Sequence, residues 1–306
     1  VNFVIIVTYN ALPWIDKCLQ SIPSTSTIVI IDNKSTDNTI KYIKEEYPKV
    51  ILLPQEQNLG FGAANNVGIK NAISRGATSV FLLNQDAYLK QGCIEALIDV
   101  SKKNPQFGIL SPIHLNGSGT SLDKSFANYI APKHCPELLS DVLIKQCTKE
   151  LYEVPFVNAA GWFIPVSALK NVGGFAPCFF MYGEDNNLCQ RMRYHGYKIG
   201  VVPSVFMLHD REFRESDKKN KDHTQYLKKQ ELEWLKFYGN INRSDSQKDF
   251  NNEIRKLQKR KRIHLLKCNF NKIKALNQEI ELLHNIFKKT QTLVGIVKNK
   301  GPHYLE

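Results

Sequence analysis

The sequence predicts an α/β fold, with a mostly parallel central sheet flanked by helices and a basic helical extension at the C-terminal end. Three observations carry that prediction. Short β-branched runs alternate with helix-period segments through the first part of the chain. Polar residues cluster just past each run. Positive charge gathers in the last third of the sequence.

The elements follow in order. Phe3 to Val7 is a buried-strand run, and Leu12 to Ser21 has helical spacing. Thr27 to Ile31 is a second strand, followed by a helix from Asp37 to Tyr47. Val50 to Leu53 is a third strand, and Asn65 to Gly76 suits a helix. Ser79 to Leu83 is the fourth strand, with a helix from Ile94 to Lys103. Strands alternating with helices in this way build parallel sheets with both faces covered. The segment from His114 to Glu153, with Gly117-Ser118-Gly119 and several prolines, reads as one long loop.

Charge divides the chain. Of a net +12, residues 1–210 carry +1 and residues 211–306 carry +11. The boundary is therefore expected near residue 211, between a body (1–210) and a basic helical region (211–306). In that region Ile273, Leu276, Ile280, Leu283 and Phe287 follow steps of three and four, as do Phe250, Ile254 and Leu257. The expectation is helices packed by these stripes, with Lys259-Arg260-Lys261-Arg262 outside. Contact with an anionic membrane surface and self-association are the alternatives. Nucleic acid is not expected, because no recognition motif accompanies the charge.

Hydrophobic residues make up 42% of the chain, enough for a sizeable core. No apolar run approaches the ~20 residues of a membrane helix. Val1 to Asn10 has no basic start, so no signal peptide is read there. The seven cysteines, Cys147 among them, are scattered without a Cys-x-x-Cys pair, which points to a reducing compartment. The expected location is cytoplasmic, with peripheral contact to the inner membrane face as an option.

In a parallel α/β sheet, ligands bind at the carboxyl ends of the strands. Here those ends read Thr8-Tyr9-Asn10, Asp32-Asn33-Lys34-Ser35-Thr36-Asp37, Asn58-Leu59-Gly60-Phe61 through Asn66, and Asn84-Gln85-Asp86. Each alone is an ordinary turn or helix cap. Together they make one polar edge able to hold a nucleotide, a sugar or a metal. A dinucleotide fold is excluded, because the first strand-to-helix turn holds no glycine.

Further along, Phe179-Phe180-Met181-Tyr182 leads into Glu184-Asp185 and a helix from Asn186 to Tyr194. Acids behind aromatics suit a general base with raised basicity, and they also suit a plain helix start. Arg191 reads as a diphosphate ligand or a salt-bridge partner. Trp162 and Tyr182 read as sugar-stacking surfaces or as core. Asp86 offers a carboxylate to a hard cation, and His209 is either a ligand or a strand-end histidine paired with Asp210.

These segments together resemble the family 2 glycosyltransferases, inverting enzymes of the GT-A fold. The resemblance covers roughly residues 2–210. Ile31-Asp32-Asn33-x-Ser35-x-Asp37 looks like the family's nucleotide-receiving segment, and Asn58-x-Gly60-Phe61-Gly62 through Gly68 like its donor-side loop and helix. Leu83-Asn84-Gln85-Asp86 sits where the family carries a metal-binding Asp-x-Asp. Gly173-Gly174-Phe175 and Phe179 to Arg191 are similar to its acceptor-side helix. Within the family, the rhamnosyltransferase and galactofuranosyltransferase branches look closest.

The resemblance implies sugar transfer from a UDP- or dTDP-sugar to a hydroxyl of a glycan or lipid-linked acceptor, assisted by Mn²⁺ or Mg²⁺. It implies the acid pair as the base, Asp185 with Glu184 in support or the reverse, since the two titrate as a unit, and Asp86 and His209 as metal ligands. It places Thr8, Tyr9, Asn10, Asp32, Asn33, Asn58, Gly60, Phe61, Asn66, Asn84, Gln85 and Arg191 at the donor, with Trp162 and Tyr182 toward the acceptor. Asn84 departs from the acid often found there, which leaves open a protein that binds nucleotide sugar without turning it over.

Overall fold

The computed structural model describes residues 2–145, 149–211 and 223–306. Cys147 lies outside the described residues, and the other cysteines are free thiols. Contacts divide the chain into Val1–Glu215 with Lys300–Glu306, and Ser216–Asn299. The boundary expected near 211 adjoins residues 212–222, which lie outside the described residues. The segment Lys300–Glu306, assigned from charge to the basic region, belongs with the first unit.

In that unit β1 (Asn2–Thr8), α1 (Ile15–Gln20), β2 (Thr27–Asp32), α2 (Thr39–Glu46), β3 (Ile51–Pro54), α3 (Phe61–Ser74) and β4 (Ser79–Asn84) come first. β5 (Ala87–Leu89), α4 (Cys93–Lys103), β6 (Phe107–Asn116), α5 (Lys124–Tyr129), α6 (Pro136–Leu143) and β7 (Tyr152–Glu153) follow. β8 (Gly161–Pro165), α7 (Val166–Val172), α8 (Glu184–Tyr194) and β9 (Lys198–His209) complete it. The stretch from His114 to Glu153 is thus not one loop: it carries the end of β6, two short helices and β7.

The strands run in the order β3-β2-β1-β4-β8-β6-β9-β5, with β7 also on β9. β1 to β4 pair in parallel. Beyond β4 the sheet is mixed: β4–β8, β6–β8, β5–β9 and β7–β9 are antiparallel, and β6–β9 is parallel. The parallel pairing expected is complete through the first half, and the second half is mixed. Strand direction in the second half is set by long-range pairing, which local periodicity does not encode.

Alternation along the strands explains the two cores. Phe3 and Ile5 of β1 face a cluster with Ile31, Ala64, Ile69, Trp162, Phe175 and Leu188. Val4 and Ile6 face the other, with Ile15, Leu19, Ile43, Leu97 and Phe163. α3 begins at Phe61, a turn earlier than expected, and lies tight on the sheet. A Cβ at Gly68 would stand 2.6 Å from Ile31 Cδ1, so only glycine lets the helix approach this closely.

The second unit contains α9 (His223–Tyr238), α10 (Ser246–Leu266) and α11 (Phe270–Val297). Phe287 of α11 stacks on Phe250 of α10 at 4.1 Å and meets Tyr238 of α9 edge-on at 5.4 Å. The buried stripe of α11 runs through Leu276, Glu279, Leu283, Ile286, Thr290, Leu293 and Val297. Ile273 and Ile280, expected in it, are only half-buried. The seam instead accommodates Glu279, which Arg260 pairs at 3.5 Å and the Tyr226 hydroxyl reaches at 3.4 Å.

Candidate active site

A cleft of about 650 Å³ opens at the carboxyl edge of β1–β4. From the exits of β1, β2 and β4 and the loop into α3 it is lined by Tyr9, Asn33, Asn58, Phe61, Asn84, Gln85 and Asp86. Met181, Tyr182, Glu184 and Asp185 at the head of α8 line it as well, with Tyr129, Asn158, His209 and Arg211. Of the twelve residues expected at the donor, six line this cleft (Tyr9, Asn33, Asn58, Phe61, Asn84 and Gln85) and six, Asn10 among them, do not.

Hydrogen bonds tie the strand exits to one another. The Tyr9 amide donates to Gln85 Oε1 at 2.8 Å, and Gln85 Nε2 donates back to the Tyr9 carbonyl at 3.2 Å. Asn10, at a left-handed φ of 50°, accepts on its side-chain oxygen from the Thr36 amide at 2.8 Å. Asn33 accepts from the Leu59 amide at 2.9 Å and donates to the Gly60 carbonyl at 3.2 Å. Asn58 Oδ1 accepts from the Gly60 amide at 2.9 Å.

Several expected donor ligands do not line the cleft. Asp32 is fully buried and accepts from the Thr8 hydroxyl (2.9 Å), the Ser35 amide (2.8 Å) and the Ser35 hydroxyl (2.5 Å). It is a strut between β1 and the loop after β2, and Thr8 is its buried partner. Asn66 is held the same way, accepting from the Phe175 amide and donating to its carbonyl, each at 2.8 Å. Gly60, at φ 80°, sits under the Phe180 backbone, where a Cβ would collide with the carbonyl oxygen. These residues shape the cleft from behind it.

Arg191 and Trp162 are corrected more sharply. Arg191 is wholly buried in α8 and donates to Asn187 Oδ1 at 3.0 Å, the Val172 carbonyl at 2.9 Å and the Gly174 carbonyl. Burial pulls its guanidinium down to about 10. It binds the corner after α7, where Gly173 and Gly174 also receive the C-terminal segment. The Gly174 amide donates to the His303 carbonyl at 2.8 Å, and Tyr304 lies 5.8 Å from the Arg191 guanidinium. Trp162 is fully buried and stacks on Phe175 at 6.1 Å. Sequence alone does not separate a sugar platform from a core aromatic, and burial decides it.

The acid pair opens α8. Tyr182 and Gly183 precede it in left-handed conformations, φ 68° and 94°. The positive-φ corner turns the chain so that both acids fall in the first helical turn. That position favours negative charge through the helix dipole. Glu184 is buried, whereas Asp185 is half-buried, with its Oδ1 accepting from the Asn186 amide at 2.7 Å. The Tyr129 phenol is pushed up, first by burial and then by the Asp185 charge.

In the same cleft, β5 and β9 pair with Ala87 against His209, which brings Asp86 next to the imidazole. Asp86 Oδ1 lies 3.5 Å from His209 Nε2, and both residues are buried. His209 Nδ1 lies 3.8 Å from Asp123 Oδ2, and Arg211 Nε stands 3.2 Å from the same oxygen. Asp123 itself caps α5. Behind His209, His114 stacks on Phe126 at 4.4 Å. Burial, then the neighbouring His209 and Arg211, hold His114 well below the usual histidine range, so it is neutral.

A divalent cation fits this donor set. Asn84 Oδ1 is a buried carbonyl oxygen with no hydrogen-bond partner, one residue away from Gln85 and two from Asp86. Carboxylate, carbonyl oxygen and imidazole together suit Mn²⁺ or Mg²⁺ completed by phosphate and water. Among the described residues no group of three or more His, Cys, Asp or Glu is arranged to hold an ion by itself.

Asn158, Tyr129 and Arg211 also line the cleft, and the sequence expectation omits them. That expectation covers residues past the ends of strands. Asn158 instead precedes β8, which runs antiparallel to β4, so its beginning lies at the same edge. Asn158 Oδ1 is buried without a hydrogen-bond partner. Arg211 follows β9 directly, and composition alone assigns it to the basic region.

The fold is that of a GT-A glycosyltransferase. Residues 3–164, more than half of the chain, match glycosyl transferase family 2, and the chain belongs to that family and is a glycosyltransferase. It is 28% identical over 229 residues to an N-acetylglucosaminyl-diphospho-decaprenol L-rhamnosyltransferase of Mycobacterium tuberculosis, covering 67% of this chain and 75% of the relative. It is 22% identical over 212 residues to the dTDP-rhamnosyl transferase RfbF of Shigella flexneri, covering 68% of each. The fold matches a mannosyltransferase of Pyrobaculum calidifontis solved with GDP-Man and Mn²⁺, with a TM-score of 0.54, 16% identity and coverage of 96% of this chain and 74% of that one. Among the described residues no helix is long and apolar enough to cross a membrane.

Proposed function

We propose that this chain transfers a deoxyhexose, rhamnose being the first candidate, from a dTDP- or UDP-sugar to a hydroxyl of a lipid-linked or glycan acceptor, with inversion at the anomeric carbon. The observation that carries the reading is one cleft lined by the half-buried Asp185 together with Asp86 and His209. The names of the two rhamnosyltransferase relatives support the sugar, and the decaprenol diphosphate in one of them supports a lipid-linked acceptor.

In a single displacement, the acceptor oxygen bonds to the anomeric carbon as the bond to the nucleoside diphosphate breaks. The acceptor proton passes to Asp185, and the electron pair leaves with the diphosphate. Glu184 supports Asp185 from the same helical turn. Asn58 and Tyr9 offer groups to the nucleotide, Asn33 holds the loop before α3 in place, and Arg211 places a cation near the phosphates. Asp86, His209 and Asn84 would hold a divalent cation. When bound, it supplies a charge that stabilises the departing diphosphate.

A reading as a nucleotide-sugar binder without turnover is favoured by one feature, the neutral Asn84 in place of an acid. One experiment separates the two. The protein is incubated with dTDP-rhamnose or UDP-sugars, Mn²⁺ and a polyprenyl-diphosphate N-acetylglucosamine, and the product anomer is read by NMR. Inverted product is expected. Donor binding by calorimetry with no transfer across the panel would leave only the binder. Asp86→Ala is expected to weaken nucleotide binding about tenfold or more in Mn²⁺ and little in chelator. Equal affinity in both media would remove the metal from Asp86.

A further inference from the structure

The two most exposed large hydrophobic side chains among the described residues are Leu266 (87%) and Phe270 (72%). They flank the turn between α10 and α11, with Leu265 (58%) beside them. The turn is a built element rather than a frayed end. The Cys268 amide donates to the Leu265 carbonyl and the Asn269 amide to the His264 carbonyl, each at 3.0 Å. Cys268 takes a left-handed φ of 50°, and Asn269 caps α11 by accepting from the Lys272 amide at 3.2 Å. The hairpin therefore presents its leucines and phenylalanine at a fixed tip.

Charge surrounds that tip. From Arg255 to Lys274 the sequence holds nine Lys and Arg and no Asp or Glu. Lys259, Arg262 and Lys267 are exposed. Apolar side chains at a point, ringed by cations, match the boundary between acyl chains and anionic headgroups. The alternatives fit less well. A second copy would bring two cationic rings together, and nucleic-acid phosphates have no use for exposed leucines.

We infer that the α10–α11 tip is a membrane-docking wedge, with Leu265, Leu266 and Phe270 entering the interface of an anionic bilayer and the flanking Lys and Arg binding its headgroups. The inference stands apart from the transferase reading, since docking requires neither donor nor acceptor. It would hold the protein at a lipid surface without a membrane-spanning helix.

The test is cosedimentation of the full chain with vesicles of phosphatidylcholine alone or mixed equally with phosphatidylglycerol. Binding is expected to the mixed vesicles and not to the neutral ones. Leu266→Ser with Phe270→Ser should weaken that binding by about tenfold or more, because less apolar surface then leaves water at the bilayer. Lys259→Glu with Arg262→Glu should weaken it by a similar factor. All four side chains are exposed, so the melting curves should match the wild type, which keeps a folding defect distinguishable from a docking defect. Equal vesicle binding by the wild type and the Leu266→Ser/Phe270→Ser variant would overturn the inference. So would dimerisation, seen by analytical ultracentrifugation, that disappears in this variant while vesicles go unbound. Tighter binding to a DNA duplex than to mixed vesicles, unaffected by the two serines, would overturn it in favour of nucleic acid.

Discussion

The two walls of the cleft are built differently. On the donor side, the strand exits are cross-tied by short hydrogen bonds: Asp32 to Thr8 and Ser35, Asn10 to Thr36, Gln85 to Tyr9, and Asn33 to the loop before α3. On the α8 side, Phe180, Met181 and Tyr182 are 58%, 48% and 66% exposed, and the corner into α8 passes through two consecutive left-handed residues. Under the proposed function this edge receives the nucleotide, and a pre-tied seat loses little freedom when it binds. Under the proposed function, an exposed apolar lip can be reshaped for an acceptor without disturbing the seat. The two walls meet at Gly60, where the lip backbone rests on the donor loop.

The largest expected break in this comparison is at Asp185. Asp185→Asn keeps an oxygen for the Asn186 amide but removes the base. Transfer should fall by about 10²–10⁴-fold while nucleotide affinity, measured by calorimetry, stays within about twofold. Unchanged transfer would shift the base to Glu184. Next comes Asp32→Ala, which leaves the Thr8 hydroxyl and both Ser35 donors without a buried acceptor. It should destabilise the protein by about 3 kcal/mol or more in chemical denaturation, because each orphaned donor costs about 1–3 kcal/mol. A small effect would mean that water replaces the carboxylate and that the seat is looser than its hydrogen bonds imply.

Arg191→Met should behave like Asp32→Ala in stability, for three acceptors lose their donor. At a temperature where the variant remains folded, its nucleotide affinity should match the wild type. A selective loss of affinity without loss of stability would return Arg191 to the donor site. The smallest effect belongs to the lip. Tyr182→Gly relieves a left-handed tyrosine and should leave stability unchanged or raise it by up to about 1 kcal/mol. Nucleotide affinity should hold, with the change confined to the acceptor KM. A change in the donor KM instead would show that the two walls are not independent.

The donor half was the more legible part, and the reason is local. Strand runs and helix periods are properties of neighbouring residues, and they marked β1 to β4 with their helices. In parallel strands, the residues just past each run share one edge, so the cleft residues from Tyr9 to Asp86 were also readable. The second half pairs antiparallel strands across long separations. Asn158, before a strand rather than after it, escaped for that reason. Arg211 escaped because the change in charge composition falls at the very residue that still lines the cleft.

By itself the sequence determined the α/β class, the polar edge of the first four strands, the acid pair at the head of a helix and the basic character of the last third. Those rest on periodicity, composition and capping, which a chain carries before it folds. Only the tertiary structure decided which polar residues reach the cleft. Asp32, Thr8, Asn66 and Arg191 have the same chemistry as ligands, yet each is consumed by partners within the fold. The β5–β9 register, set by pairing across more than a hundred residues of chain, likewise brought Asp86 to His209. A polar side chain becomes a site residue when the fold leaves its bonding capacity facing a cavity, and that depends on neighbours distant in sequence.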